Sequence, residues 1–132
     1  MHAYLIEGEG ETLEKAIQAL VKNLKAKLFI YPVAKIDDVR SLNSFIRLTL
    51  STPTVILIRR VDEATDEALN AFLKNLEEPQ VNLYFILTAQ SHHKVLATIV
   101  SRCQIVRTIN TRASLSGRKL ATDFLKKTVG EK

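Results

Sequence analysis

The chain alternates short apolar runs with longer stretches in which apolar residues recur every three or four positions. The first apolar run covers residues 2–7 and stops at Gly8 and Gly10. From Thr12 the apolar residues fall at helical spacing and form one amphipathic face, made by Leu13, Ala16, Ile17, Leu20, Val21 and Leu24. This change of period predicts a strand that is followed by a helix.

The same alternation continues through the middle of the chain. A β-rich run over residues 28–33 ends near Pro32, and Asp37 is predicted to cap a second helix. The inward face of that helix is predicted to contain Val39, Leu42, Phe45, Ile46 and, at its end, Leu50. Thr54–Ile58 is a near-continuous apolar run, typical of a strand buried on both faces of a parallel sheet.

A third helix is predicted after Thr65. Thr65 is a good N-cap because Asp66 and Glu67 then lie in the first turn, where the helix dipole favours acidic residues. Pro79 is predicted to end this helix. Its predicted buried stripe contains Ala68, Leu69, Phe72, Leu73 and Leu76.

The remaining pattern predicts a strand over residues 83–87, a short helix over about 93–100 and a strand over 104–109. Strands and helices therefore alternate, which predicts right-handed βαβ units and a parallel sheet covered by helices on both faces. A polar segment over 111–117 and one further helix over 118–129 come last.

Composition fits one globular domain, since the chain has 132 residues and is 46% hydrophobic. No apolar run approaches the roughly 18 residues needed to cross a bilayer, so we expect a cytoplasmic protein without a membrane partner. The single cysteine, Cys103, excludes an internal disulfide and a cysteine-based zinc module. The net charge of +5 allows nucleic acid as a partner, although a solvated basic surface explains the scattered Lys and Arg residues equally well.

The most specific pattern lies in residues 66–107. It contains Asn-Ala-Phe-Leu-Lys-Asn-Leu-Glu-Glu-Pro, then the strand-like Asn-Leu-Tyr-Phe-Ile-Leu-Thr-Ala, then Thr-Ile-Val-Ser-Arg-Cys-Gln. This order resembles the core of bacterial clamp-loader subunits, the gamma and delta-prime subunits of DNA polymerase III. The resemblance implies a reduced AAA+-type, P-loop NTPase-like α/β fold over residues 1–110, with a five-stranded parallel sheet flanked by helices. Residues 111–132 would then form a C-terminal helix, as a remnant or the start of the family's lid.

Two motifs that mark the ATP site of the resembling family are altered here. A phosphate loop needs glycines and a Lys, but residues 8–13 read Gly-Glu-Gly-Glu-Thr-Leu, which is too short, acidic and without Lys. A tight turn between strand and helix is the favoured interpretation. The family's two strand-end acids fall on Arg59 and Arg60, which cannot coordinate magnesium. Asp62 and Glu63 are interpreted as loop and helix-start residues rather than as displaced acids.

One family motif is retained at Ser101-Arg102-Cys103. The resemblance implies that Arg102, with Ser101 and Cys103, acts in trans as an arginine finger on the ATP of a neighbouring subunit. Such a finger should be accessible to solvent and not tied to an internal partner. The alternative is that Arg102 only caps the helix ending near Val100. Thr88 occupies the family's sensor position, where packing or a local hydrogen bond is expected.

The resemblance and the altered motifs together predict a non-catalytic, delta-prime-like clamp-loader subunit or fragment. It would dock on an ATP-binding neighbour and act in DNA replication, without a cofactor or metal of its own. The predicted partners are other clamp-loader subunits, and any contact with DNA would be indirect. The alternative is a stand-alone regulatory or binding module that derives from the same core but joins no loader ring.

Overall fold

A computed structural model of the chain describes residues 2–47, 51–78 and 80–108. Strands and helices alternate as predicted, and two short 3-10 turns, Val61–Glu63 and His92–Lys94, lie between them. The predicted inward Leu50, helix-ending Pro79 and C-terminal helix over 118–129 lie outside the described residues. The elements are β1 (Ala3–Glu7), α1 (Gly10–Leu24), β2 (Lys27–Ile30), α2 (Ile36–Ile46), β3 (Thr54–Ile58), α3 (Asp66–Glu77), β4 (Leu83–Ala89), α4 (Ala97–Val100) and β5 (Gln104–Arg107).

The five strands form one parallel sheet in the order β2-β3-β4-β1-β5. All five residues of β3 are buried, as the continuous apolar run predicts for a strand covered on both faces. β2 lies at one edge of the sheet, and Phe29 and Ile30 in it are 39% and 62% exposed. The predicted five-stranded parallel sheet flanked by helices is therefore confirmed.

Two separate cores cover the two faces of the sheet. On one face, α1 packs through Leu13 and Ile17 against apolar residues of β1, β3 and β4. On the other face, α2, α3 and α4 cover the larger core. Phe72 of α3 and Phe85 of β4 are fully buried there, with ring centroids 5.1 Å apart in an edge-to-face arrangement. The amphipathic stripes of the sequence thus account for both layers.

Thr65 caps α3 as predicted, because its side chain accepts a hydrogen bond from the Ala68 N–H at 3.1 Å. The predicted cap of α2 is wrong. This helix begins at Ile36, so Asp37 lies inside its first turn. Asp38 instead accepts hydrogen bonds from the backbone N–H groups of Ala34 and Lys35, at 2.8 and 2.9 Å. A carboxylate at the third residue of a helix can accept the backbone N–H groups that precede the helix. Asp38 is that third residue, whereas Asp37 is the second and does not form this cap.

The predicted helix over 93–100 is also wrong in its extent. It is divided into the 3-10 turn His92–Lys94 and the single turn of α4. Between them Val95 has an extended backbone, with φ −112° and ψ 147°, and its side chain is buried in the larger core. Extended geometry suits a β-branched residue, so packing of Val95 interrupts the helix. No helix in the described part of the chain is long and apolar enough to span a membrane.

Candidate functional site

The carboxyl ends of β1 and β4 lie side by side at the point where the chain's connections diverge. The connection after β1 leads toward β2 at one edge, whereas the one after β4 leads to β5 at the other. In open α/β sheets, ligands bind in the crevice formed at such a reversal of strand order. This crevice is where the altered phosphate loop and the sensor position meet.

The connection between β1 and α1 consists of only Gly8 and Glu9. The Gly8 N–H donates to the carbonyl of Ala89 at 3.1 Å, which fastens the turn to the end of β4. A Cβ atom at Gly8 would lie 1.9 Å from the hydroxyl oxygen of Thr108, so only glycine fits. Gly10 has φ +68°, a left-handed conformation that glycine adopts without strain. The turn is thus tight and has no room to surround a phosphate chain.

Glu7 is the last residue of β1 and places a carboxylate at these strand ends. One of its oxygens accepts the backbone N–H of His92 at 2.6 Å and also bonds the ring Nδ1 of His92. The other oxygen lies 3.2 Å from Nε of Arg107. Burial by itself would raise the pKa of Glu7, but the hydrogen bonds from His92 and the charge of Arg107 outweigh it and lower the pKa. The carboxylate is therefore ionised and joins the ends of β1 and β5 to the 3-10 turn that follows β4.

Sequence reasoning missed this network. Glu7 and His92 are 85 positions apart, so no local pattern connects them. The parallel register of β1 with β5, which places Glu7 beside Arg107, would have indicated half of the network. Strand order is needed to obtain that register.

The two arginines at the end of β3 are engaged in different ways. Arg59 makes a bidentate ion pair with Glu14 of α1, with N–O distances of 2.8 and 2.9 Å. Its hydrogen bonds lower the pKa of the Glu14 carboxyl. Arg60 has φ 55°, and its backbone N–H donates to the buried hydroxyl of Thr88 at 2.9 Å. Thr88 therefore makes the local hydrogen bond expected at the sensor position.

Asp62 and Glu63 lie in the 3-10 turn beyond the end of β3, as the loop interpretation of the sequence predicts. Asp62 accepts the backbone N–H of Gln90 at 3.3 Å, and Glu63 lies 3.6 Å from Arg60. Neither is placed at the strand end itself. Within the described residues, no group of three or more His, Cys, Asp or Glu side chains is arranged to hold a metal ion.

The Ser-Arg-Cys segment lies between α4 and the start of β5. It is therefore at the amino ends of the parallel strands, whereas Glu7 is at their carboxyl ends. Burial raises the pKa of Cys103 to about 12, so its thiol stays protonated and serves the core. The Ser101 hydroxyl donates to the carbonyl of Thr98 at 3.1 Å. Arg102 donates to the same carbonyl at 3.0 Å, and its Nη2 lies 2.8 Å from Oε2 of Glu77.

The expectation that Arg102 has no internal partner is therefore wrong. Its side chain remains 36% exposed, but it is held at the carboxyl end of α3 by Glu77. The bond to Thr98 is the contact that the helix-cap alternative predicts, since this carbonyl belongs to α4. Nothing in the sequence connected Glu77 with Arg102. The finger role itself stays a prediction.

Comparisons with known proteins agree on one family. The profile described as "DNA polymerase III, delta subunit" matches residues 26–111. The DNA polymerase III subunit delta' of Haemophilus influenzae is 36% identical over 93 residues, which is 69% of this chain and 27% of that protein. The DNA polymerase III subunit tau of Bacillus subtilis is 38% identical over 71 residues, or 52% of this chain and 13% of that protein. The chain thus spans about a quarter or less of these relatives.

Solved structures show the same fold. A DNA polymerase III gamma subunit-related protein from Thermotoga maritima has a TM-score of 0.69 and 25% identity, covering 98% of this chain and 46% of that one. The RuvB Holliday junction branch migration motor of Thermotoga maritima has a TM-score of 0.62 at 13% identity, covering 80% of this chain and 36% of that one, which concerns the fold alone. The fold is thus the AAA+ type that the motifs predict, and the chain belongs to the DNA polymerase III delta subunit family.

Proposed function

We propose that the chain acts in DNA replication as a delta-prime-like clamp-loader subunit, or as a fragment of one, that binds no ATP itself. Membership of the DNA polymerase III delta subunit family supports the replication role. The observation that supports the loss of ATP binding is the Glu7 carboxylate, which stands at the ends of β1 and β5 in contact with His92 and Arg107. The protein would work through contacts with other subunits rather than through its own turnover.

Electrostatics of the crevice argue against a bound nucleotide. Glu7 is ionised and only 16% exposed, and Glu9 lies in the turn where the phosphate loop would be. Arg107 offsets part of the charge of Glu7, but Glu9 has no ion pair within the described residues, and a triphosphate placed there would meet no lysine. Uncompensated like charges at short distance repel, so Glu9 disfavours a phosphate in the turn. The Arg59 guanidinium cannot offset this charge while Glu14 holds it in a bidentate pair.

In the proposed role Arg102 acts on the nucleotide of a neighbour. It lies at the amino ends of the strands, whereas Glu7 lies at their carboxyl ends, so it is remote from the Glu7 site of its own chain. Its partial exposure leaves the guanidinium within reach of another subunit. A guanidinium placed against a transferring phosphoryl group stabilises the charge that develops there.

The test is reconstitution of the full chain with a gamma- or tau-type DNA polymerase III subunit that binds ATP. The mass of the mixture shows whether a complex forms, and its ATPase rate is compared for the wild type and Arg102→Ala. We expect Arg102→Ala to lower that rate at least severalfold while destabilising this chain by less than about 1 kcal/mol, because its ion pair is partly exposed. Arg40→Ala is the matched control, since Arg40 also pairs with an acid at the surface.

Two outcomes would contradict the proposal. A loss of stability in Arg102→Ala with an unchanged ATPase rate would assign Arg102 to the cap of α4 alone. Failure to form any complex with clamp-loader subunits would favour the stand-alone module.

A further inference from the structure

We infer that Glu77 is a positioning residue that restrains Arg102 against its own subunit until a neighbour's phosphate displaces it. This inference rests on the proposed function, because it concerns the regulation of the same arginine. It explains why Arg102, which is proposed to contact the nucleotide of a neighbouring subunit, forms an ion pair within its own chain. The strength of the ion pair between Glu77 and Arg102 would determine how readily Arg102 contacts the neighbour's phosphate.

The Arg102 guanidinium makes contacts of two kinds, one charged and two neutral. Nη2 pairs with the Glu77 carboxylate at 2.8 Å, and Nη1 donates to the Thr98 carbonyl at 3.0 Å and approaches the Ser101 hydroxyl at 3.3 Å. The neutral contacts come from the segment that carries Arg102 itself. Only Glu77 belongs to another element, the last turn of α3. Release of that one contact would free Nη2 of the guanidinium, while Nη1 keeps its contacts within its own segment and α4 stays folded.

A phosphate and the Glu77 carboxylate would compete for the same donors. A guanidinium binds pairs of carboxylate or phosphate oxygens through its N–H groups, so Nη2 cannot serve Glu77 and a phosphate in full at the same time. The pair is also weak enough to exchange, since the Arg102 and Glu77 side chains are 36% and 45% exposed. Exposed pairs of this kind shift an equilibrium by no more than about fivefold. Glu77 therefore restrains Arg102 without locking it.

The neighbouring Glu78 offers a matched control. It is also an exposed glutamate at the end of α3, and within the described residues it has no ion pair. Glu77→Gln removes the charge and keeps the shape, whereas Glu78→Gln removes an equal charge that does not contact Arg102. Glu77→Asp keeps the charge on a side chain one methylene shorter and should restore part of the restraint.

The first experiment uses the full chain alone at low ionic strength, with phenylglyoxal as the arginine reagent and peptide masses as the readout. Arg102 should be modified about two- to fivefold faster in Glu77→Gln than in the wild type, at an intermediate rate in Glu77→Asp and at the wild-type rate in Glu78→Gln. The rate at the exposed Arg40 should not change. Added salt should accelerate modification of Arg102 in the wild type but not in Glu77→Gln. Equal Arg102 rates in all four proteins would overturn the inference.

The second experiment measures the ATPase rate of the reconstituted complex at increasing concentrations of this chain. Glu77→Gln should reach half of its maximal effect at a concentration about two- to fivefold lower than the wild type, with Glu78→Gln unchanged. If Arg102→Ala lowers the rate but Glu77→Gln behaves as the wild type, the restraint is wrong and the proposed function stands. If Arg102→Ala has no effect, the proposed function itself fails.

Discussion

Phe72 carries much of the packing in the larger core, because it is fully buried between α3 and β4 and meets Phe85 edge to face. Phe72→Ala should destabilise the chain by about 3 to 5 kcal/mol, since it removes a buried ring and leaves a cavity. Chemical denaturation followed by circular dichroism measures this change. Phe29→Ala, at a partly exposed edge position, is the control and should cost much less. Similar losses of stability in both variants would mean that packing of Phe72 is no more important than packing at the sheet edge.

The Glu7 carboxylate gives the chain a pH-dependent contribution to stability. Its pKa is lower in the folded chain than in the unfolded one, so the contribution is present above the ordinary glutamate pKa and is lost as the pH falls through the folded value. Glu7→Gln should cost about 1.5 to 3 kcal/mol at pH 7, because three bonds to a charged group are weakened. Its melting temperature should then depend less on pH in the acidic range than that of the wild type.

Thermal melts between about pH 3 and pH 7 test this assignment. Glu11→Gln is the control, because Glu11 is exposed and lies 3.8 Å from Lys15 in a surface pair. If the melting temperature of Glu7→Gln falls with acid as much as that of the wild type, the contacts of Glu7 with His92 and Arg107 do not stabilise the chain.

At the scale of elements, the N-terminus of α3 depends on one hydroxyl. Thr65→Ala removes the bond to the Ala68 N–H and should destabilise the chain by about 1 kcal/mol. Thr65→Ser keeps the acceptor and should retain most of the stability. Equal losses in the two variants, measured by urea denaturation, would indicate that the methyl group of Thr65 matters rather than its capping oxygen.

How well each element could be predicted depends on how local its cause is. The limits of β3 and the start of α3 follow from a continuous apolar run and from Thr65, so sequence alone was sufficient. The break before α4 arises because Val95 packs into a core built by other elements, and the helical period of the sequence hides it. The contacts of Glu7 with His92 and of Glu77 with Arg102 join residues far apart in sequence, so their prediction requires the tertiary arrangement of the elements.

For the whole molecule, the tight β1–α1 turn and the acidic crevice predict that Mg-ATP and Mg-ADP do not bind at physiological concentrations. Isothermal titration calorimetry should show no heat of binding with either nucleotide. An ATP-binding gamma- or tau-type subunit, titrated under the same conditions, serves as the positive control. A dissociation constant in the micromolar range for this chain would contradict both the geometry of the turn and the proposed non-catalytic role.

The net charge is unevenly distributed along the sequence. Residues 109–132 contain six basic and two acidic residues, which leaves a net charge of only +1 for the rest of the chain. The described core is therefore nearly neutral, and the argument for an anionic partner applies to the C-terminal residues instead.

The edge position of β2 has a consequence for the behaviour of the purified protein. Within the described residues β2 pairs only with β3, and an edge strand with exposed Phe29 and Ile30 is a template on which other chains can add strands. The strand is only four residues long, and Lys25 and Lys27 place like charges where two copies would meet. Electrostatic repulsion is then the barrier to self-association, and salt screens it. Concentrated stocks should stay monodisperse at low ionic strength and begin to aggregate as salt is added.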